Sequence, residues 1–314
     1  MKIKKPLVCI GIVNFNGEKM TSECLKTLRK TKYPNYKVIV IDNGSSDDSY
    51  SKLKKKFPKV DVIKSENNLG YTGGINLVWE HCLEKYDPDY ICNINNDIIT
   101  IQPEWLNLLV NELEKDRFRG MAGNLQLLPN KAMLKKLFGD NHPADFSKKN
   151  EGLSREVKEV PLLCGAVLLI KRSVIDKIGG NDENYFFGPD DMDYALRTKK
   201  AGFKLVYCGN SKSIHLTSFS SSASKKDFIY KHQSYGQMLF QFRHGTKKEI
   251  ISMIAQQFIR VFFAKRISFE EISIKNIYFH KTFPKRFIYF FQALINSIKN
   301  YKEIKIGNCP RLKK

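Results

Sequence analysis

Over the first 114 residues, short runs rich in β-branched residues alternate with helical stretches, and this alternation restricts the fold more than any other feature. Strand, helix and strand in succession build a parallel sheet covered by helices. Strands are expected at Leu7–Asn14, Lys37–Asp42, Val60–Lys64 and Tyr90–Asn95. Helices are expected at Glu18–Lys30, Asp48–Lys56, Gly74–Lys85 and Pro103–Glu114, where Pro103 suits a first helical turn. The sheet is expected to continue through Gly120–Leu128 and Leu162–Ile170. A helix over Asp191–Ala201, stopped by Gly202, and short strands at Lys204–Tyr207 and Lys212–His215 should close this body. The polar stretch Pro129–Glu159 is long for a loop and reads as a functional excursion or lid, and Ser218–Ser224 reads as a linker.

In an open parallel sheet, ligands bind at the C-terminal ends of the strands, so the residues there are informative. The first strand ends in Asn14-Phe15-Asn16-Gly17 and the second in Asp42-Asn43-Gly44-Ser45-Ser46-Asp47-Asp48. After the third comes Asn67-Asn68-Leu69-Gly70-Tyr71-Thr72-Gly73-Gly74-Ile75-Asn76, and the fourth ends in Asn95-Asn96-Asp97. Any one cluster is explained by a turn, but four in succession point to a ligand. Asp42 can accept hydrogen bonds from the N–H edge of a pyrimidine or from ribose hydroxyls. Gly70, Gly73 and Gly74 allow backbone N–H groups close to an anion at a helix start. Asp97 can hold a divalent cation against a diphosphate, with further ligands from elsewhere. A dinucleotide-binding G-x-G-x-x-G after the first strand is missing, as is a G-x-x-x-x-G-K-[ST] loop.

A second constellation lies downstream, in Tyr185-Phe186-Phe187-Gly188-Pro189-Asp190-Asp191-Met192-Asp193, followed by His215. One acid suffices to cap a helix. Three acids repel one another unless a cation or a reacting group uses them. His215, as a neutral imidazole, can complete a metal shell with Asp97 or can be an ordinary half-buried histidine.

These segments resemble family 2 glycosyltransferases of the A-type fold, and among them the rhamnosyltransferase branch of bacterial surface-polysaccharide enzymes. Asn68-Leu69-Gly70-Tyr71-Thr72-Gly73-Gly74-Ile75-Asn76 is similar to the family's N-x-G-[FY]-x-x-G-x-N segment, and Asn95-Asn96-Asp97 stands where its D-x-D motif stands. Phe187 to Asp193 looks like its F-x-x-E-D-x-D segment, and Tyr235 to Arg243 resembles an aromatic and Arg segment that follows the body. The matching features run from about Pro6 to about Ser222. The first acid of D-x-D is replaced by Asn95, and Gly188-Pro189 replaces the usual residues before the paired acids.

The resemblance implies an α/β fold, a mostly parallel nucleotide-binding sheet flanked by helices, with a mainly helical C-terminal extension. It implies a catalytic domain over 1–223, with donor and acceptor halves meeting near residue 100, and an extension over 224–314. Asn14, Asn16, Asp42, Asn43, Gly70, Gly73, Asn76, Asn95 and Asn96 would bind the nucleotide sugar. Asp97 and His215 would hold Mg2+ or Mn2+. Asp191 would be the base of an inverting displacement, with Asp190 and Asp193 as supporting acids. The expected donor is dTDP-rhamnose or a UDP-sugar, and the expected acceptor a hydroxyl of a glycan or of a lipid-diphosphate-linked glycan. A non-catalytic sugar-nucleotide or glycan binding relative and a nucleotidyltransferase are the rival readings.

Charge adds a partner. The chain carries a formal +21, of which +14 falls after Ala223, where basic residues alternate with aromatics. Such a tail meets phosphates, and an anionic membrane surface is expected rather than nucleic acid, for which no motif is present. Phe287, Phe290, Phe291, Leu294, Ile295 and Ile298 repeat at helical spacing, as do Ile250, Ile251, Ile254, Phe258, Val261 and Phe262. Both stripes fit either a membrane contact or a packed core. The seven cysteines show neither a disulfide framework nor zinc spacing, and Cys9, Cys92 and Cys164 sit in apolar runs. No apolar run reaches the roughly 20 residues of a membrane span, and Pro6–Asn14 reads as a strand rather than a secretory leader. A cytoplasmic protein, peripheral at the inner face of the cell membrane, is therefore expected.

Overall fold

The computed structural model describes residues 5–138, 147–163, 165–216, 223–262 and 283–312. They divide into two compact units, one of residues 1–181, 194–219 and 310–314, the other of 182–193 and 220–309.

The first unit is built on one sheet. Its opening segments are β1 (Val8–Asn14), α1 (Glu18–Leu28), β2 (Tyr36–Asn43), α2 (Ser49–Lys56), β3 (Asp61–Ser65), α3 (Gly70–Tyr86) and β4 (Tyr90–Ile94). There follow β5 (Ile98–Thr100), α4 (Trp105–Glu114), β6 (Arg119–Leu127), α5 (Lys131–Phe138), β7 (Val157–Glu159), β8 (Val167–Lys171) and α6 (Arg172–Ile178). Helix α7 (Asp190–Lys200) begins among residues of the second unit, and β9 (Lys204–His215) returns to the sheet. The strand order is β3-β2-β1-β4-β8-β6-β9-β5, with β7 paired to β9.

Strands β3, β2, β1 and β4 are all parallel, as the βα alternation requires. Antiparallel pairs enter where β8 joins β4 and β6, and β6 and β9 are again parallel. The sheet is therefore parallel across its first half and mixed beyond it. From β1 the chain adds β2 and β3 on one side and then places β4 on the other, so the order reverses beside β1.

Period-two alternation explains the two layers of core. Val8, Ile10 and Ile12 of β1 face one apolar cluster with Cys24 and Leu25 of α1 and Trp105 and Leu109 of α4. Cys9 faces the other with Ile75, Val78, Trp79 and Cys82 of α3. Gly11 lies on that second face, where a Cβ would stand 2.6 Å from Val78 Cγ1, so α3 packs directly on the β1 backbone.

Several elements depart from expectation. The two short strands at Lys204–Tyr207 and Lys212–His215 are one strand, interrupted by a register shift between the Asn124 and Leu125 pairings. At that irregularity Gly209 donates its N–H to the Glu156 carbonyl at 3.0 Å, where the incoming chain leaves no room for a side chain. The expected Leu162–Ile170 strand starts only at Val167, which is the first residue to pair with β4, and Leu162 is exposed. The polar stretch Pro129–Glu159 contains α5 and β7, and its residues 139–146 fall outside the described residues, as do Cys164 and most of the expected Ser218–Ser224 linker.

In the second unit, α8 (Ala223–His244), α9 (Lys247–Phe262), α10 (Phe283–Lys299) and α11 (Tyr301–Ile306) surround a small core. Tyr185, Met238, Leu239, Phe242, Met253, Phe290, Ala293 and Ile304 form it. The α10 stripe is split by this packing. Phe290 is buried, while Phe287, Ile295 and Ile298 are exposed together with Ile288. On α9, Ile250 and Ile254 pack against the core, whereas Ile251 and Phe258 are exposed. No helix among the described residues is long and apolar enough to cross a membrane.

Direct packing of α3 on β1 gives a stability test. Gly11→Ala should destabilise the protein by about 1–3 kcal/mol, the usual cost of overpacking. Adding Val78→Ala should recover part of that loss. Thermal melts of the two single variants and the double variant check this, and strictly additive effects would refute the contact.

Candidate active site

A reversal of strand order opens a crevice at the carboxyl ends of the two strands it separates, here β1 and β4. The polar clusters at these ends are interlocked. Asn14 and Asp42 are register partners, and Asn14 Nδ2 donates to Asp42 Oδ2 at 2.9 Å. Ser45 Oγ donates to the same oxygen at 2.8 Å, and Ser45 N–H to Asp42 Oδ1 at 3.2 Å. Thr21 Oγ1 donates to Asn14 Oδ1 at 2.7 Å and accepts from Asn96 Nδ2 at 3.2 Å. Asn16, at a positive φ of 47°, donates its N–H to Ser45 Oγ at 2.9 Å and accepts the Ser46 N–H at the same distance. The turns after β1, β2 and β4 are thus held by one network. Thr21 and Ser45, which the sequence reading did not select, are its hubs.

Asn43 ties β2 to the start of α3. Its Nδ2 donates to the Gly70 carbonyl at 2.8 Å, and its Oδ1 accepts the Leu69 N–H at 3.2 Å. Gly70 opens α3 at a φ of 73°, a left-handed conformation that glycine adopts without strain. Gly73 is buried one turn later, where a Cβ would stand 2.8 Å from Leu69 Cβ. Asn76 is a strut. Its buried amide donates to the Asn181 carbonyl at 3.0 Å and accepts the Asn181 N–H at 2.8 Å.

Asn95 closes the turn after β4: its N–H bonds the Ala166 carbonyl at 2.9 Å and its own carbonyl accepts the Ile98 N–H at 3.1 Å. Because β5 pairs with β9 in the register Ile98↔His215, the preceding Asp97 is brought beside His215. Asp97 Oδ1 lies 3.2 Å from His215 Nε2, and both side chains are largely buried. Two ligand atoms at adjacent corners of an octahedron with bonds of about 2.1 Å are about 3.0 Å apart, so this pair fits one edge of such a shell. Among the described residues no third His, Cys, Asp or Glu completes a metal-binding group. Diphosphate oxygens and water are the ordinary remaining ligands of Mg2+.

The three acids belong to the second unit. Asp190 Oδ1 accepts the Gly188 N–H at 3.0 Å, and Asp191 Oδ1 accepts the Met192 N–H at 2.8 Å. Asp193 has no exposed surface, and its Oδ1 is 2.6 Å from His244 Nε2 and 3.1 Å from Arg243 Nη1. Arg243 also pairs with Asp182. Gly236, in mid-helix on α8, carries no side chain because a Cβ would overlap the Gly188 carbonyl and stand 2.9 Å from Pro189 Cδ. Helix α8, part of the basic and aromatic tail, is thus packed against the acid-bearing turn. Burial, then the neighbouring charges of Asp191 and Asp193, push the Asp190 carboxyl up to about 7.

The sequence model of glycosyl transferase family 2 matches residues 9–179, more than half of the chain. The chain belongs to this family. Its match takes in Asp42, Gly70 and Asp97 but ends before Asp191 and His215. The N-acetylglucosaminyl-diphospho-decaprenol L-rhamnosyltransferase of Mycobacterium tuberculosis is 24% identical over 232 residues, covering 66% of this chain and 75% of that protein. The rhamnosyltransferase WbbL of Escherichia coli is 26% identical over 266 residues, covering 78% and 95%. The fold is shared with the mannosyltransferase PcManGT from Pyrobaculum calidifontis, solved in complex with GDP-Man and Mn2+. That similarity has a TM-score of 0.55 at 14% identity and covers 94% of this chain and 76% of that one. An A-type glycosyltransferase fold with a helical C-terminal region is what the family 2 resemblance implied.

The position of Asp190 has a consequence for stability. A carboxyl whose folded pKa is raised stabilises the fold fully below the unfolded value, near 4, and that contribution is lost as pH rises through about 7. Asp190→Asn removes the ionisation while keeping an acceptor for the Gly188 N–H. It should therefore raise the melting temperature by a few degrees at pH 8 and by less at pH 5. Equal shifts at both pH values would refute the assignment.

Proposed function

We propose that this family 2 glycosyltransferase transfers a sugar from a nucleoside-diphosphate donor to an acceptor hydroxyl with inversion at the anomeric carbon. The observation that carries the reading is the Asp97–His215 pair beyond β4, the strand set beside β1 where the order reverses. Two relatives named as rhamnosyltransferases, one of them for N-acetylglucosaminyl-diphospho-decaprenol, support a rhamnosyl group and a lipid-diphosphate-linked glycan acceptor. The donor on this reading is dTDP-rhamnose or a UDP-sugar, used in surface-polysaccharide synthesis.

Each residue then has a task. Asp191 accepts the proton of the attacking hydroxyl as its oxygen displaces the nucleoside diphosphate. Asn14, Asn16, Asp42 and Asn43, knitted to Ser45 and Gly70, shape the nucleotide side of the crevice, while Asn95 and Asn96 set the turn that carries Asp97. Asp97 and His215 would hold Mg2+ or Mn2+. That cation, when bound, supplies neutralisation of the charge developing on the leaving diphosphate. The cation in the PcManGT complex is Mn2+.

A donor screen that reads nucleoside diphosphate release tests this assignment. The parent should release it with one donor, lose most of that activity in excess chelator, and lose at least about a hundredfold in turnover with Asp191→Asn. Asp97→Ala should weaken donor binding. Pyrophosphate release instead would identify a nucleotidyltransferase. Donor binding without turnover would identify a binding protein.

The second unit supplies the reading of place. Its exposed Ile251, Ile288, Ile295 and Ile298 lie on helices that also carry basic residues such as Lys247, Lys248 and Lys299. Each Lys or Arg near an anionic leaflet contributes about 1 kcal/mol, and exposed apolar side chains add contact without spanning. The protein is accordingly peripheral at an anionic membrane, the cytoplasmic face of the cell membrane on this reading. Sedimentation with anionic vesicles should show binding that salt partly reverses. Replacing Ile288, Ile295 and Ile298 together by Ser should weaken it. Parental vesicle binding by that variant, or preference for DNA over vesicles, would overturn the assignment.

A further inference from the structure

The acid-bearing turn of α7 is held from one end of α8. Arg243 and His244 are the last two residues of that helix, both side chains are less than a tenth exposed, and both reach Asp193 Oδ1. The carboxylate accepts both bonds, so His244 Nε2 carries the proton between them. Arg243 extends the network through Asp182, whose Oδ1 accepts the N–H groups of Asn184 and Asn308, each at 3.0 Å. Gly307 takes a φ of 79° where a side chain would collide with the Arg243 guanidinium. The chain has therefore kept room for this guanidinium at Gly307.

Such an arrangement is a poor way to gain stability, because buried ion pairs are frequently matched or bettered by apolar side chains of similar volume. It is an effective way to fix a backbone. Asp193 stands two residues after Asp191 and three after Asp190, so pinning its carboxylate pins the first turn from which both others project. It also balances the Asp193 charge with a permanent cation, which would otherwise act on its two acidic neighbours.

We infer that Arg243 and His244 are positioning residues of the transferase: through Asp193 they set the orientation and the electrostatic surroundings of the Asp191 carboxylate. The inference rests on the reading of Asp191 as the base. Among the described residues, the charged and titratable groups around the turn are Asp190 and Asp193 on α7, Asp182 before it, His232, Tyr235, Arg243 and His244 from α8, and Cys309 after α11. Removing Arg243 leaves the Asp193 charge uncompensated and so raises the apparent pKa of nearby carboxyls.

The test uses the full chain with Arg243→Met, His244→Gln and His244→Phe, and Asp191→Asn in parallel. Nucleoside diphosphate release is followed from pH 5 to 9, and melting is recorded for each protein. Arg243→Met should lower kcat at least about tenfold, leave the donor KM within about twofold, and move the acidic limb of the kcat profile to higher pH. His244→Gln, which keeps an N–H donor, should stay within about threefold of the parent, while His244→Phe should fall about tenfold. If Arg243→Met does not fold, the two His244 variants decide. Folded Arg243→Met with parental kcat and an unmoved acidic limb overturns the inference, as does equal loss in both His244 variants. Parental turnover in Asp191→Asn overturns the base reading. An inactive Asp191→Asn beside a fully active Arg243→Met overturns the positioning inference alone.

Discussion

Taking a carboxylate out of water costs several kcal/mol unless donors inside the fold replace its hydration. Asp193 has no exposed surface, and the donors that compensate it come from residues 50 and 51 positions further along the chain. That requirement shapes the second unit. It asks for α8 to end where Arg243 and His244 can reach back, for glycine at 236 where the helix passes Gly188, and for glycine at 307 beside the guanidinium. The residues 182–193 are accordingly grouped with 220–309 rather than with the sheet.

Asp42 in the first unit meets the same demand with neutral donors. Its oxygens accept from Asn14 and twice from Ser45, and its side chain has no exposed surface. With the site otherwise as it stands, a nucleotide could bond this carboxylate only if the turn through Ser45 moved. The hydrogen bonds of Asp42 act on the turns: they fix the end of β1 against the end of β2, and Thr21 carries that order on to Asn96.

Much of this was legible in the sequence, for physical reasons that differ by element. Strands β1, β2 and β4 bury most of both faces, and apolar runs bounded by turn residues reveal such strands, whereas β3, at the sheet edge, is only half-buried. The meeting of Asp97 with His215 was readable as a possibility from residue chemistry. What produces it, the three-residue β5 pairing with β9, was not, since a strand so short has no periodicity to detect. Strand β9 was split because Gly209 to Ser211 interrupt the apolar pattern, although the backbone continues through them. Thr21 lies inside a helix with no motif around it, and Asn76, read with the ligand-binding segment, is spent on Asn181. The pairing of Asp193 with Arg243 and His244 is the hardest kind to foresee. It depends on how a helix end is aimed in space, which spacing along a chain does not encode.

The replacement of an acid by Asn95 carries one more consequence on the proposed reading. A cation held by Asp97 and His215 alone has one anionic and one neutral protein ligand, so much of its coordination must come from the donor diphosphate and water. Affinity for the cation and affinity for the donor are then linked, and by reciprocity each strengthens the other by the same factor. A second carboxylate at position 95 would loosen that linkage, because it would hold the cation before the donor arrived. With asparagine there, Asp97 and His215 would favour loading of cation and diphosphate together. The positive charge would then be assembled chiefly when a leaving group is present to use it.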